Sequence, residues 1–246
     1  MLVTLAVNQT IAANGSATYT YSPNSVQKVH LALEDADWEE ARITVQIGSR
    51  TVVNGINAFG LIGLTQLMSG VGQSGTSGII SIDLGNWECT RMDNLYVTVQ
   101  ASAELTGIDV SAIVDEAVSV QPLKITAYSD NTFTSPNNLY AISYDNSGKA
   151  SVSNDNYNIE IRNRLESSAP NLISANTYYK SLVVGASYDS YYGFLNKNAV
   201  PMATSYNYSS SAVTDTIITC EAVGSTPQQR AQAKDSKKMA LASVGR

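Results

Sequence analysis

The chain has one histidine, His30, and it is the only side chain whose ordinary pKa suits general-base work near neutral pH. A hydrolytic triad needs such a base beside its nucleophile. His30, however, sits in an alternating run in which Val29, Leu31 and Leu33 share one face and Lys28 and His30 the other. No G-x-S-x-G elbow accompanies it. A solvent-facing or interface histidine is the stronger reading. Gly70, Gly72, Gly75 and Gly78 lack the lysine and the strand-to-helix context of a phosphate-binding loop, and read as a flexible loop. No residue is assigned a catalytic or cofactor-binding role, and no enzyme is expected.

The acidic run from Glu34 to Glu40 places Asp35, Asp37 and Glu39 at alternating positions, where they could offer oxygen ligands to calcium. An EF-hand loop counted from Asp35 would need Glu at position 46, where Gln46 stands, and the central glycine is missing. An acidic turn between strands, anchored by Trp38, is favoured over a metal site. Cys89 and Cys220 lie within or beside apolar stretches and form no C-x-x-C or Cys/His spacing. They are expected to be small buried hydrophobes, not zinc ligands and not bonded to each other. Tyr188, Tyr191 and Tyr192 offer apolar faces with polar tips, which suits sugar stacking as well as loop packing or a subunit contact.

Charge is low and unevenly placed. Only 15% of residues are charged, against roughly 25% in an ordinary globular domain, and the net charge is −6. Residues 224–246 run the other way: Arg230, Lys234, Lys237, Lys238 and Arg246 against Asp235 give a local +4. An acidic body argues against nucleic acid as a specific partner. The basic strip suits contact with anionic lipid headgroups, or is a solvated terminus. No secretory signal pattern opens the chain. The longest apolar-rich stretch, 56–72, is broken by Gly, Thr and Gln and does not read as a membrane span.

The elements that must position these residues are mostly strands. Period-two alternation recurs at 29–33, 41–47, 80–84, 95–99, 123–127, 157–161 and 218–222. Half-buried strands separated by Gly, Asn, Ser and Pro turns describe antiparallel sheets around a core. The spacing of Leu61, Leu64 and Met68 predicts a short amphipathic helix over 57–69, capped by Asn57. Residues 104–118 read equally as a connecting helix turn or a strand. Residues 172–183 could form a second short helix, and 226–243 a helix or a disordered tail.

This element order occurs twice. TYTYSPNSVQKV, ARITVQIG, NAFGLIGLTQLM, GIISIDLG and NLYVTVQAS are followed by LYAISYDNSGKA, YNIEIRNR, NTYYKSLVVGA, PMATSYNYS and DTIITCEAV, at an offset of about 120 residues. Two consecutive β domains are therefore expected, residues 1–120 and 121–223, joined near AVSVQP at 117–122, with the basic tail 224–246 beyond them. The halves differ in composition: both tryptophans, Trp38 and Trp87, precede the join, whereas most tyrosines follow it.

Two such domains, each with a short helix after a paired-strand segment and none with an enzyme motif, resemble the double jelly-roll major capsid proteins. These form the shells of tailless icosahedral viruses with an internal membrane, in the lineage of tectiviruses, corticoviruses and adenovirus hexon. The corticovirus-type likeness rests on the strand Ile43 to Ile47, the helix Ala58 to Met68 and the strand Gly78 to Ile82. The resemblance implies an all-β fold of two eight-stranded jelly rolls and a structural bacteriophage coat protein. It implies homotrimers that tile a pseudo-hexagonal lattice, with penton or minor capsid proteins and the inner membrane as further partners. The chain would be made in the host cytoplasm and reside in the virion. Arg230, Lys234, Lys237 and Lys238 would face the membrane. A carbohydrate- or receptor-binding β-sandwich of the spike kind, served by the tyrosine-rich loops, is the alternative, and a β-sandwich hydrolase the least supported.

Overall fold

The computed structural model describes residues 1–35, 37–69, 78–118, 120–128, 132–134, 138–145, 157–163, 171–174, 193–200, 204–210 and 216–223. The first half runs β1 (Leu2–Ile11), β2 (Ser16–Tyr21), β3 (Ser25–Leu33), a 3-10 turn (Trp38–Glu40), β4 (Arg42–Ile47), β5 (Arg50–Asn57), α1 (Ala58–Ser69), β6 (Gly78–Glu88), β7 (Leu95–Gln100) and β8 (Leu105–Val114). The second half runs β9 (Leu123–Tyr128), β10 (Thr132–Thr134), β11 (Asn138–Asp145), β12 (Tyr157–Asn163), β13 (Asn171–Ser174), β14 (Gly193–Val200), β15 (Thr204–Ser210) and β16 (Thr216–Ala222).

Strand pairing reveals the architecture. The first half forms one sheet ordered β1-β8-β3-β6 and a second ordered β2-β7-β4-β5. The second half repeats both orders with every strand number raised by eight: β9-β16-β11-β14 and β10-β15-β12-β13. Each half is thus a jelly roll of two four-stranded antiparallel sheets. One parallel contact, Val53 of β5 beside Ile125 of β9, fuses the β2-β7-β4-β5 sheet with the β9-β16-β11-β14 sheet into an eight-stranded layer.

On β3, β4, β6 and β7 the alternation read from the sequence is the burial pattern, whereas Ala127 on β9 is exposed, β16 is buried on both faces, and the side chains of 157–161 lie outside the described residues. On β4 Ile43, Val45 and Ile47 are buried, and on β7 Leu95, Val97 and Val99 face the same core across the pairs Ile43–Val99, Val45–Val97 and Ile47–Leu95. Burying side chains of this size contributes roughly 1.5–3 kcal/mol each before chain entropy is counted. The core continues without a break from Leu31, Ile80 and Val110 through α1 to Ile125, Ala141, Ile218 and Cys220 in the second half.

The helix begins where the Asn57 side chain places it. Its Oδ1 accepts the Phe59 backbone N–H at 2.8 Å, satisfying one of the unpaired donors of the first turn. The helix is apolar around more of its circumference than an amphipathic surface helix, with Phe59, Leu61, Ile62 and Leu64 all buried. The reason is its setting: α1 packs against β6 of its own roll and against β11, β14 and β16 of the other. Among the described residues no helix is long and apolar enough to cross a membrane.

Several expectations are corrected or completed. The stretch 104–118, open between helix and strand, is strand β8 over Leu105–Val114. Leu172 to Ser174, expected to open a second helix, belong to β13, and 175–183 lie outside the described residues. Strand β1 has no clean alternation in the sequence. Its pairing with β8 shifts register after Thr4, Ala6 and Gln9, and Asn8 takes φ 48°. The repeat is real but its last two pieces are displaced by one strand. GIISIDLG forms β6, whose counterpart is β14 rather than the segment 201–209, and NLYVTVQAS forms β7, whose counterpart is β15 rather than β16.

Candidate functional site

His30 lies at the middle of the outward face of the β1-β8-β3-β6 sheet, opposite Ser81 on β6 and Ser111 on β8. Half burial, and secondarily the Lys28 charge, hold its pKa below the usual 6.5, so it is a neutral imidazole at pH 7. The nearest row of the sheet carries Lys28 and Asp83 as an ion pair at 3.4 Å, so that carboxylate is engaged by a cation. A base with its acid taken and two small hydroxyls across the strands is a polar patch, not a triad.

The acidic run folds as a turn. Asp35 Oδ2 accepts the backbone N–H and hydroxyl of Thr106 at 3.2 and 3.0 Å. Glu40 accepts the Ser102 hydroxyl at 3.2 Å. Trp38 is buried and stacks on Phe59 at 6.5 Å between ring centroids. Gly78 is fixed by that ring, since a Cβ there would stand 2.8 Å from Trp38 Cδ2. Among the described residues no group of three or more His, Cys, Asp or Glu side chains could hold a metal ion. Cys89 and Cys220 are free thiols, Cys220 fully buried and its pKa raised by that burial and by the charges of Asp83 and Glu221. Tyr188, Tyr191 and Tyr192, and Arg230, Lys234, Lys237 and Lys238, lie outside the described residues.

The residues that tie the two halves together sit instead at the junction between the rolls. Gly85, at φ +67°, lets β6 approach the chain so closely that a Cβ would stand 1.9 Å from the Gln121 carbonyl oxygen. Two residues on, the Trp87 indole N–H donates to the Leu123 carbonyl at 2.9 Å. The Arg50 guanidinium lies over the Trp87 ring at 5.2 Å and donates to the Glu88 carbonyl at 3.1 Å. The Val223 N–H donates to the Pro122 carbonyl at 2.7 Å. The stretch 117–122, read from the sequence as the join, contains Gln121 and Pro122, and a tryptophan among polar residues in GNWEC is a second sequence signal at this seam.

The second half meets that seam with an apolar outer face. On its β9-β16-β11-β14 sheet, Ile125, Cys220 and Ala141 are buried. Thr219 and Glu221 are buried on the opposite side of β16, where the threonine hydroxyl donates to the carboxylate at 2.9 Å. The corresponding face of the first half is open. Leu2 is 65% exposed, and Ile79 and Val7 are exposed as well.

No protein-family model matches the chain. No curated protein matches it in sequence. In structure it is similar to the major capsid protein of Sulfolobus turreted icosahedral virus, at a TM-score of 0.63 and 9% identity over 90% of this chain and 95% of that one. The same comparison within that virus's atomic structure gives a TM-score of 0.63 and 11% identity, covering 90% of this chain and 89% of the other. It is also similar to the major capsid protein P2 of bacteriophage PM2, at a TM-score of 0.51 and 12% identity over 92% of this chain and 98% of that one. With each half built in the same strand order, and with the likeness covering at least 90% of the chain, this chain has the all-β double jelly-roll fold of these viral major capsid proteins.

Proposed function

We propose that the chain is a structural coat protein whose trimers, each presenting six similar rolls, tile an icosahedral shell. The observation that carries this reading is the pair of jelly rolls of identical strand order within one chain, matched over 90% of its length to a viral major capsid protein. In this reading the units are 1–120 and 121–223, followed by the basic tail 224–246. A coat protein of this design works by shape, so it needs no catalytic group, and the neutral His30 patch and the hydrogen-bonded acidic turn are surface structure. Penton or minor capsid proteins would complete the shell.

The tail gives the shell an inner side. Arg230, Lys234, Lys237 and Lys238 would meet anionic headgroups, each worth about 1 kcal/mol near such a surface, and the effect multiplies over many copies.

The test is assembly. The purified full-length chain, 26.2 kDa per copy, is expected to sediment as a trimer and to form sheets or closed shells visible by electron microscopy as concentration rises. A chain that stays monomeric at all concentrations and binds glycans on an array would overturn this reading in favour of a receptor-binding module. Replacing the four tail cations with Gln is expected to leave trimers intact and to abolish salt-sensitive binding to phosphatidylserine-containing vesicles.

A further inference from the structure

The two ends of the first roll have opposite chemistry. At one end the Cys89 N–H donates to the Asn24 carbonyl at 2.8 Å, the Gly48 N–H to the Asn94 carbonyl at 2.9 Å, and the Asp115 N–H to the Ser25 carbonyl at 3.0 Å. These bonds gather the β2–β3, β4–β5 and β6–β7 turns and the chain leaving β8 into one surface. Three apolar side chains stand out from it: Met92 is 90% exposed, Val120 56% and Val118 36%. Their supports are fixed. Asp93 Oδ2 accepts the Thr90 N–H and hydroxyl at 2.9 and 3.0 Å, closing the turn that carries Met92. Asp115 Oδ1 accepts the Asn24 and Ser25 N–H groups at 2.7 and 3.0 Å, and the buried Gln27 amide donates to the Glu116 carbonyl at 3.3 Å, holding the chain that leads to Val118. Large apolar side chains held in water on ordered supports mark a contact surface.

The opposite end is formed by residues 34–41 and 101–106, joined where Asp35 accepts from Thr106 and Glu40 from Ser102. It carries Glu34, Asp35, Asp37, Glu39, Glu40 and Glu104 and no lysine or arginine. At the apolar end most carboxylates are engaged. Asp93 meets Arg50 at 3.5 Å, Asp115 holds its two backbone donors, and Glu116 meets the Met1 amino group at 3.2 Å, which leaves Glu88 beside the exposed Arg91. The +4 segment 224–246 departs from this same end, since the Val223 N–H donates to the Pro122 carbonyl at 2.7 Å, beside the linker that carries Val118 and Val120.

We propose that the apolar end rests on an anionic lipid bilayer, with Met92, Val118 and Val120 entering the boundary between headgroups and acyl chains and Arg91 at the level of the phosphates. The six carboxylates of the far end are repelled by the same surface, so they fix which way up the chain stands. The occupant is a bilayer because single apolar tips on separate loops form no groove for a partner's side chains, and the cationic segment that begins beside them seeks the same surface. This inference rests on the coat reading with a membrane inside the shell. To the salt-sensitive attraction of the tail it adds an apolar contact that salt does not screen.

The test uses the full-length chain and vesicles of phosphatidylcholine with phosphatidylserine. In a Cys89→Ser background, where Cys220 is buried, Met92→Cys and Glu104→Cys are each labelled with an environment-sensitive fluorophore. On vesicle binding the label at 92 is expected to shift to shorter wavelength and to be quenched by brominated lipid, while the label at 104 stays in water. Changing Met92, Val118 and Val120 together to Ser alters only exposed side chains, and is expected to weaken vesicle binding roughly tenfold without changing its salt dependence. A chain that binds vesicles with the label at 92 still in water, or with the label at 104 inserted instead, would overturn the apolar contact and leave the coat reading and its tail standing. A wild-type chain that assembles into shells but binds no vesicles overturns this inference together with the membrane side of the coat reading, and spares the shell.

Discussion

The indole N–H of Trp87 reaches across the seam between the two rolls and donates to the backbone carbonyl of Leu123 at 2.9 Å. Trp87 lies one residue before the end of β6 of the first roll and Leu123 begins β9 of the second, and both side chains are buried. A buried carbonyl with a single side-chain donor makes the second roll's entry dependent on one residue of the first.

Replacing Trp87 with Phe keeps an aromatic ring under Arg50 but deletes that donor. Stability is expected to fall by about 1–3 kcal/mol, the cost of leaving a buried acceptor unpaired. Urea unfolding followed separately by Trp38 fluorescence and far-ultraviolet circular dichroism checks it. An unchanged midpoint would show the carbonyl to be satisfied otherwise.

Gly85 and Gly55 both sit at positive φ, +67° and +57°, yet they differ in room. At Gly55 a Cβ meets nothing nearer than the Thr44 hydroxyl at 4.0 Å, so Gly55→Ala carries only the left-handed penalty of about 1–2 kcal/mol. At Gly85 the same atom would overlap the Gln121 carbonyl. Gly85→Ala is expected to lower the melting temperature well beyond Gly55→Ala, and equal effects would show that the seam yields freely.

His30 makes stability depend on acid. Its folded pKa is depressed by burial and by Lys28, so the unfolded chain binds the proton first as pH falls. The stability tied to the neutral ring is complete above the unfolded value of about 6.5 and is lost as pH drops through the lower folded value. Of the groups on the facing strands, Ser81 and Ser111 are neutral, Asp83 is paired with Lys28, and Asp109, one row along β8, accepts the Asn8 backbone N–H. His30→Gln should therefore remove part of the decline between pH 7.5 and 5, measured by denaturant midpoints across that range. A parallel decline in both proteins would locate the effect elsewhere.

Thiol labelling should separate the two cysteines. Cys220 is fully buried with its pKa pushed upward, while Cys89 is half-buried with a smaller upward push from burial and Asp93. At pH 8 a disulfide reagent is expected to modify Cys89 slowly and leave Cys220 untouched until the chain unfolds, when two thiols react. Fewer than two in the unfolded, unreduced chain would mean that a bridge had formed.

Alternation was the part of this fold that local sequence could state. Ile43, Val45 and Ile47, or Leu95, Val97 and Val99, place one apolar face whatever the partner strand, because side chains alternate across a strand with period two. Asn57 likewise marked its helix, since capping is a contact between near neighbours in the chain. Partner choice is not local. GIISIDLG and PMATSYNYS alternate alike, yet β6 and the strand over Thr204–Ser210 hold different places in their sheets, and only the pairing with β3 and with β12 distinguishes them. Strand β1 was silent because its bulges break the period on which such a reading depends. The burial of both faces of β16, with Ile218 and Cys220 on one side and Thr219 and Glu221 on the other, was likewise decided by tertiary structure. A strand pressed between its own roll's interior and the neighbouring roll has no solvent side, and a polar residue that finds its hydrogen-bond partner there reads in sequence like one facing water.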